Sequence, residues 1–167
     1  MRIANREREL NELTEELTKQ IVELRSADSR ISMLEEMERE YEGFGGAVKA
    51  VMREARRGSL RGVHGTVSEL LRTEEQTALA IETALGAAIQ NVVVDTQNDG
   101  KRAIEFLQRR NAGRATFLPM DAMRGGRLDR IPGEDEGCLG LAVDLIDFDP
   151  RYKNVFENLL GRTLIAE

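Results

Sequence analysis

The sequence predicts a mixed α+β chain: a long N-terminal coiled-coil helix over residues 1–42, then a compact domain of strand–helix–strand units over residues 43–167. Three observations predict it. Residues 1–42 contain no glycine and carry an apolar stripe at heptad spacing. The stretch YEGFGG at 41–46 breaks that pattern abruptly. Beyond the break, short apolar runs alternate with helical spacings between glycines and prolines. At 167 residues there is room for one ordinary domain plus an extension, and 41% hydrophobic content is enough to bury a core. Only 4% of residues are aromatic and Trp is absent, so surfaces on which bases or sugars stack are scarce.

With Ile3 at heptad position a, the a positions are Ile3, Leu10, Leu17, Leu24, Ile31 and Glu38. The d positions are Arg6, Leu13, Gln20, Ala27, Leu34 and Tyr41. Charged and small polar residues fill the intervals. A narrow a/d seam kept for six heptads is the pattern of a coiled coil rather than of a helix lying on a globular core. At 1.5 Å per residue the rod is roughly 60 Å long. Gln20 at d with Ile21 beside it marks a local register irregularity, which slightly unwinds a supercoil. The competing reading is a single surface helix of a bundle. A lone helix with this stripe is marginal in water, so the seam implies a partner helix. Residues 43–167 hold no comparable heptad run, which places that partner outside this chain.

After the break, residues 44–57 read as a short amphipathic helix with Val48, Val51, Met52 and Ala55 apolar and Gly58 as its stop. GVHGTV at 62–67 reads as a short strand with glycine-defined bends. Thr73 and Gln76 match a capping box opening a helix, with Ala80, Ala84 and Ala88 on one stripe and Leu79, Ile81 and Leu85 nearby. QNVVVD at 90–95 is a β-branched run, hence a buried strand. Asn98, Asp99 and Gly100 mark a turn before a helix over 101–111 that buries Ala103, Ile104 and Leu107. RATFLP at 114–119 is the next strand, stopped by proline. Gly125, Gly126, Pro132 and Gly133 fall in a long flexible loop. Residues 138–146 form another apolar strand, 151–160 a last helix, and 163–166 begin a final strand. Alternating strands and helices predict parallel pairing through right-handed crossovers. An apolar, strand-like run just before Glu167 gives the expectation that the domain continues past it.

The formal net charge of -6 argues against a uniformly basic nucleic-acid binder, yet the charge is unevenly placed. Lys49, Arg53, Arg56, Arg57 and Arg61 lie close together, opposed only by Glu54, and the first four are three or four apart on the expected helix. A second group is Lys101, Arg102, Arg109, Arg110 and Arg114. Each such cation can neutralise a phosphate and release counterions, giving sequence-independent affinity for DNA; the competing reading is a solvated face. Asp144, Asp147 and Asp149 lack the spacing of a calcium loop, and Asp149 before Pro150 suits a helix N-cap. His64, the only histidine, reads as a packed or hydrogen-bonded turn residue, and Cys138 as a small buried apolar residue. No catalytic residue, metal or cofactor is assigned. A single cysteine fits a reducing cytoplasm, residues 1–10 are too charged for a secretory signal, and no apolar run reaches membrane-spanning length.

Several of these stretches, in this order and spacing, resemble the hinge of a bacterial SMC (structural maintenance of chromosomes) protein. They are YEGF (41–44), VKAV (48–51), GVHGTV (62–67), AIETALG (80–86), QNVVV (90–94), GRATFLP (113–119), and NLLGRT (158–163) within the final helix–strand unit. The resemblance covers essentially the whole chain: the end of the ascending arm, then the first part of the hinge. It implies a hinge that joins two SMC chains as a homodimer, with an antiparallel arm helix as the rod's partner. It also implies a cytoplasmic, nucleoid-associated protein in which basic surface near the coil junction touches DNA. Tyr41 then closes the last d layer, Gly43 ends the helix, Phe44 docks into the hinge, and Gly45 and Gly46 allow close approach. The family's ATPase head is assembled from other segments, and no GxxxxGK[ST] occurs here.

Two readings from other classes compete. A small α/β enzyme with a coiled-coil oligomerisation arm requires converging polar groups, and the sequence offers no nucleophile–base pair. A stand-alone DNA-binding module dimerised by its rod requires only the basic clusters.

Overall fold

The computed structural model describes residues 2–39, 43–129 and 137–166. The chain divides into two compact units, Met1–Gly43 and Phe44–Glu167. The first is one helix, α1 (Arg2–Arg39), uninterrupted because its sequence has neither glycine nor proline. Leu10, Leu13, Leu17, Leu24, Ile31 and Leu34 are each more than half exposed, and Ala27 is exposed with them. The described a/d side chains therefore form an exposed aliphatic stripe along α1. Tyr41 and the side chain of Ile3 lie outside the described residues.

The second unit contains α2 (Gly46–Arg56), β1 (Val63–Thr66), α3 (Val67–Leu70), β2 (Leu71–Thr73), α4 (Glu75–Leu85), β3 (Val92–Val94) and α5 (Gln97–Arg110). There follow β4 (Phe117–Pro119), β5 (Cys138–Leu141), β6 (Ile146–Phe148), α6 (Lys153–Leu160) and β7 (Leu164–Ala166). β3 is the central strand of a sheet ordered β1-β3-β4, antiparallel to β1 and parallel to β4. Two further pairs, β2-β6 and β5-β7, are antiparallel. Parallel pairing was thus expected too widely. Only the β3–α5–β4 unit has the crossover that the rule governs, whereas the strands before and after the other helices join different sheets.

All three residues of β3 are buried. Val93 points into the main core with Val67, Ile81, Leu85, Val155, Phe156 and Leu160. Val92 and Val94, one pleat away, point to the opposite face. There α5 packs on β3 and β4, and α2 packs on α5 and β1, burying Ala103, Phe106 and Leu107 from one helix and Ala47, Val48, Val51 and Met52 from the other. The β-branched run was legible as a doubly buried strand for this reason.

Several local expectations are corrected. Thr73 does not cap α4: it ends β2, where its hydroxyl donates to the Leu145 carbonyl (3.1 Å) and meets the Thr77 hydroxyl (2.9 Å), and Glu74 takes the cap position. The capping boxes belong to Thr66–Glu69 at α3 and Thr96–Asp99 at α5. Asn98, Asp99 and Gly100 are consequently the first turn of α5, not a turn before it. Gly100 faces β3 and β4, where a Cβ would make ordinary contact with Val94 and Phe117 at 3.6 Å. The 44–57 helix starts two residues later, and the 138–146 run is split by a 3-10 turn over Ala142–Leu145. Ile104 is exposed rather than buried, and Leu79 is exposed beside the alanine stripe, while Ile81, Leu85, Ala103 and Leu107 are inside.

The described part of the loop expected to be flexible, up to residue 129, is strapped down, while Pro132 and Gly133 lie outside the described residues. Asn158 Nδ2 donates to the Arg124 carbonyl (2.9 Å), the Leu128 amide donates to the Gly161 carbonyl (2.9 Å), and Arg127 forks onto both Asp144 oxygens (2.8 and 2.6 Å). A side chain at Gly161 would run into the Gly126 carbonyl oxygen and that of Glu157. Gly161→Ala is therefore expected to destabilise the chain by about 2 kcal/mol or more, read from chemical denaturation; a change within about 0.5 kcal/mol would show the strap to be loose.

Asp99 is buried yet charged. The Thr96 hydroxyl bond, with the Arg102 ion pair beside it, outweighs burial and holds its carboxyl below the usual range. Because the folded value is depressed, the ionised group stabilises in full above the unfolded carboxylate value and loses that stabilisation as pH falls through the folded one. The gap in melting temperature between the native chain and Asp99→Asn should be widest near neutral pH and shrink below about pH 4. A gap that is constant down to about pH 2.5 would contradict this account.

Candidate nucleic-acid interface

On α2 the buried side chains recur at 47, 48, 51 and 52. That spacing leaves Lys49, Arg53 and Arg56, at i, i+4 and i+7, on the remaining face. Arg53 and Arg56 are exposed and sit in the last turn, where they also complement the negative end of the helix dipole. Lys49 is half-buried. Arg57 is the C-cap residue, 3.8 Å from Glu54, and Arg61 is exposed in the bend before β1. The structure thus places Lys49, Arg53 and Arg56 together, with Arg57 and Arg61 at the helix end.

The second basic group lies on the neighbouring helix. A Cβ at Gly113, just past the end of α5, would come within 3.6 Å of the Ala47 Cβ at the start of α2. Lys101, Arg102, Arg109 and Arg110 of α5, with Arg114 beyond it, therefore belong to the same layer as the α2 cations. Sequence reading kept the two clusters apart because nothing local announces that α2 and α5 pack side by side. Not all of these charges are equally available: Arg102 is paired with Asp99, and Arg110 stacks over the Phe106 ring at 5.1 Å. Such a layer can meet phosphates one by one, but it has no stacking platform for bases.

Gly43 has φ +93°, a conformation side-chain-bearing residues rarely adopt. Phe44 is half-buried. Gly45 is the N-cap of α2, and its amide donates to Gln90 Oε1 at 2.9 Å. Gly46 opens the helix, and a Cβ there would meet nothing within 4 Å, so no crowding requires glycine at that position.

His64 is a strand residue rather than a turn residue. β1 and β3 pair Val63 with Val94 but Gly65 with Val93, so His64 is the extra residue of a β-bulge. The bulge aims its ring between Tyr152 and Asp95, with Nδ1 2.9 Å from the Tyr152 hydroxyl and Nε2 2.8 Å from Asp95 Oδ1. Burial pushes the Tyr152 hydroxyl above the ordinary phenol range, partly offset by Arg151. This hydrogen-bonded bridge joins β1 to the turn before α6, and no residue pattern announces it. Asp149 does cap the following turn, its Oδ1 accepting from the Arg151 amide at 3.0 Å. Asp144 is taken by Arg127, and Asp147 is exposed in β6. Cys138 is half-buried at the start of β5, less enclosed than expected. Among the described residues no group of three His, Cys, Asp or Glu is placed to hold a metal, and no helix is long and apolar enough to cross a membrane.

Comparison with known proteins gives this geometry its relatives. The family model for the flexible hinge domain of SMC proteins matches residues 60–167. The chromosome partition protein Smc of Desulfitobacterium hafniense is 39% identical over 96% of this chain, and that of Bacillus subtilis is 40% identical over 86%. This chain spans only 13% and 12% of those relatives. Among solved structures, the asymmetric dimer of the Geobacillus stearothermophilus SMC hinge domain matches 82% of this chain and 55% of its own, at 36% identity and a TM-score of 0.78. The Pyrococcus furiosus Smc hinge domain with an extended coiled coil matches 93% of this chain and 54% of its own, at 33% identity and a TM-score of 0.61. The doubly buried β3, its bulged neighbour β1 and the two helices laid over them are thus the framework of a known domain: the chain belongs to the SMC hinge family.

Proposed function

We propose that this chain is the joint of a chromosome-partition SMC protein, a mechanical element and not a catalyst. Residues 1–42 act as the end of a coiled-coil arm, and residues 43–167 as the first part of the hinge. The joint brings two SMC chains together and offers DNA a sequence-independent contact. The parent protein's ATPase, acting in the cytoplasm at the nucleoid, is carried by other segments. The observation that carries this reading is the match of residues 60–167 to the SMC hinge family and of 82% of the chain to a solved SMC hinge domain that is a dimer. The uncovered α1 seam supports the arm assignment, because a stripe of that kind is stable only against another helix. The relative solved with an extended coiled coil supports the same order of parts.

The DNA contact is proposed for the α2 face, Lys49, Arg53, Arg56, Arg57 and Arg61, with the α5 cations alongside. Its support is charge segregation. The chain carries a net charge of -6, so cations concentrated on one layer make that layer the attractive one and leave other faces repulsive. Arg53→Glu, Arg56→Glu and Arg57→Glu combined should abolish retention of DNA on a low-salt gel, while native binding should weaken steeply with added salt. Undiminished retention by the triple variant would remove α2 from the interface.

For association, the expected partner of the seam is an antiparallel arm helix. In its absence, copies of this chain should pair through Leu10, Leu17, Leu24 and Ile31. Sedimentation of the chain should show mass rising with concentration, and Leu17→Lys with Leu24→Lys should remove the seam's part of it. A monomer at every concentration would refute self-pairing through α1.

A further inference from the structure

Ile104 sits beside the buried Ala103 on α5, yet it is 44% exposed. It forms one wall of a groove of about 590 Å³ between the last two turns of α5 and the segment that follows the helix. Leu107 and Ala115 extend the apolar floor, and Gln108, Asn111 and Arg114 supply the polar rim. Asn111 holds the left-handed cap conformation (φ 49°) that turns the chain back to close the groove. The end of α5 adds little negative charge, because the Leu107 and Gln108 carbonyls accept from the Ala112 and Asn111 amides at 3.0 and 3.1 Å.

We infer that this groove docks a protein segment: an acidic amphipathic helix that places an aliphatic side chain against Ile104 and a carboxylate against Arg114. Charge complementarity selects the occupant. Between Lys101 and Ala115 the only carboxylate is Glu105, set against Lys101, Arg102, Arg109, Arg110 and Arg114. Arg102 is neutralised by Asp99, while Arg114 pairs with no carboxylate among the described residues. The aliphatic wall suits a leucine or isoleucine anchor, which nucleic acid does not carry, and the lining offers no aromatic ring on which a base could stack. An exposed aliphatic side chain beside a polar rim is complementary to a helix that carries an apolar face.

The test is fluorescence anisotropy of the full chain with a short labelled peptide carrying leucines at i and i+4 flanked by glutamates. The same peptide with lysines in place of glutamates serves as control, and a single-stranded oligonucleotide as competitor. Binding of the acidic peptide at least about tenfold tighter than its basic counterpart, weakened about tenfold by Ile104→Ser and by Arg114→Glu, would support the groove. Both side chains are exposed, so the variants should melt with the native chain, and Ile104→Ser should leave DNA retention unchanged. Equal binding of the two peptides, or variants that bind as the native chain does, would overturn the inference. So would displacement of the peptide by the oligonucleotide with the same dependence on Ile104, which would give the groove to nucleic acid.

Discussion

The rest of the second unit depends on the burial of β3 from both sides. Three consecutive valines cannot face water, and a strand shows alternate residues to opposite faces, so β3 requires apolar cover twice over. One cover is the main core, built from α4, α6 and the short strands around them. The other is the α2–α5 layer. Because α2 and α5 exist as a packed pair only to cover Val92 and Val94, their outward faces are committed to solvent, and that is where the cations sit. The arrangement of the candidate interface is thus a by-product of how the central strand is buried. Fully burying a valine is worth about 1.5–3 kcal/mol, which is ample to hold two helices in register despite the mutual repulsion of their arginines.

That repulsion is moderated locally. Arg57 has Glu54, Arg102 has Asp99, and Arg110 has the face of Phe106. Surface ion pairs of this type contribute little to stability, about 0–1 kcal/mol each. Their main effect is to fix where each guanidinium points. Asp99 differs from the others because it is buried, and it serves two ends at once by capping α5 through Thr96 and holding Arg102. A single carboxylate therefore links the start of the helix to part of the charge on its surface.

What could be read from the sequence divides along the range of the interactions. The α1 helix, the β3 run, and the helices near 46–56 and 153–160 were legible because period, β-branching and glycine stops are written locally. The capping boxes were misplaced because T-x-x-E occurs at Thr66 as well as T-x-x-Q at Thr73, and pairing of β2 with β6, far along the chain, decides between them. Parallel pairing was overextended for the same reason: sheet membership is settled by partners tens of residues away. The basic residues of the candidate interface were found one by one, but their union into one layer was not, since it depends on α2 lying beside α5. The strap over Gly161 and the His64 bridge were invisible. Each rests on a backbone approach or a bulge that no residue pattern announces.

The α1 seam obeys a different logic from the second unit. Six aliphatic side chains lie in water at more than half exposure, which no compact domain of this size tolerates on one stripe without purpose. A helix of 38 residues can form locally, but its exposed stripe leaves a hydrophobic gain of several kcal/mol unrealised until a second helix covers it. The irregularity at Gln20 and Ile21 adds discrimination, since a partner must reproduce the altered spacing to bury Ile21, and an arbitrary heptad helix would leave a polar group facing the seam. Affinity for some partner helix follows from the leucines. In a rod that pairs as proposed, choice among partners would follow from the polar breaks in the repeat at Arg6, Gln20 and Glu38, so attraction and selectivity would sit at separate positions.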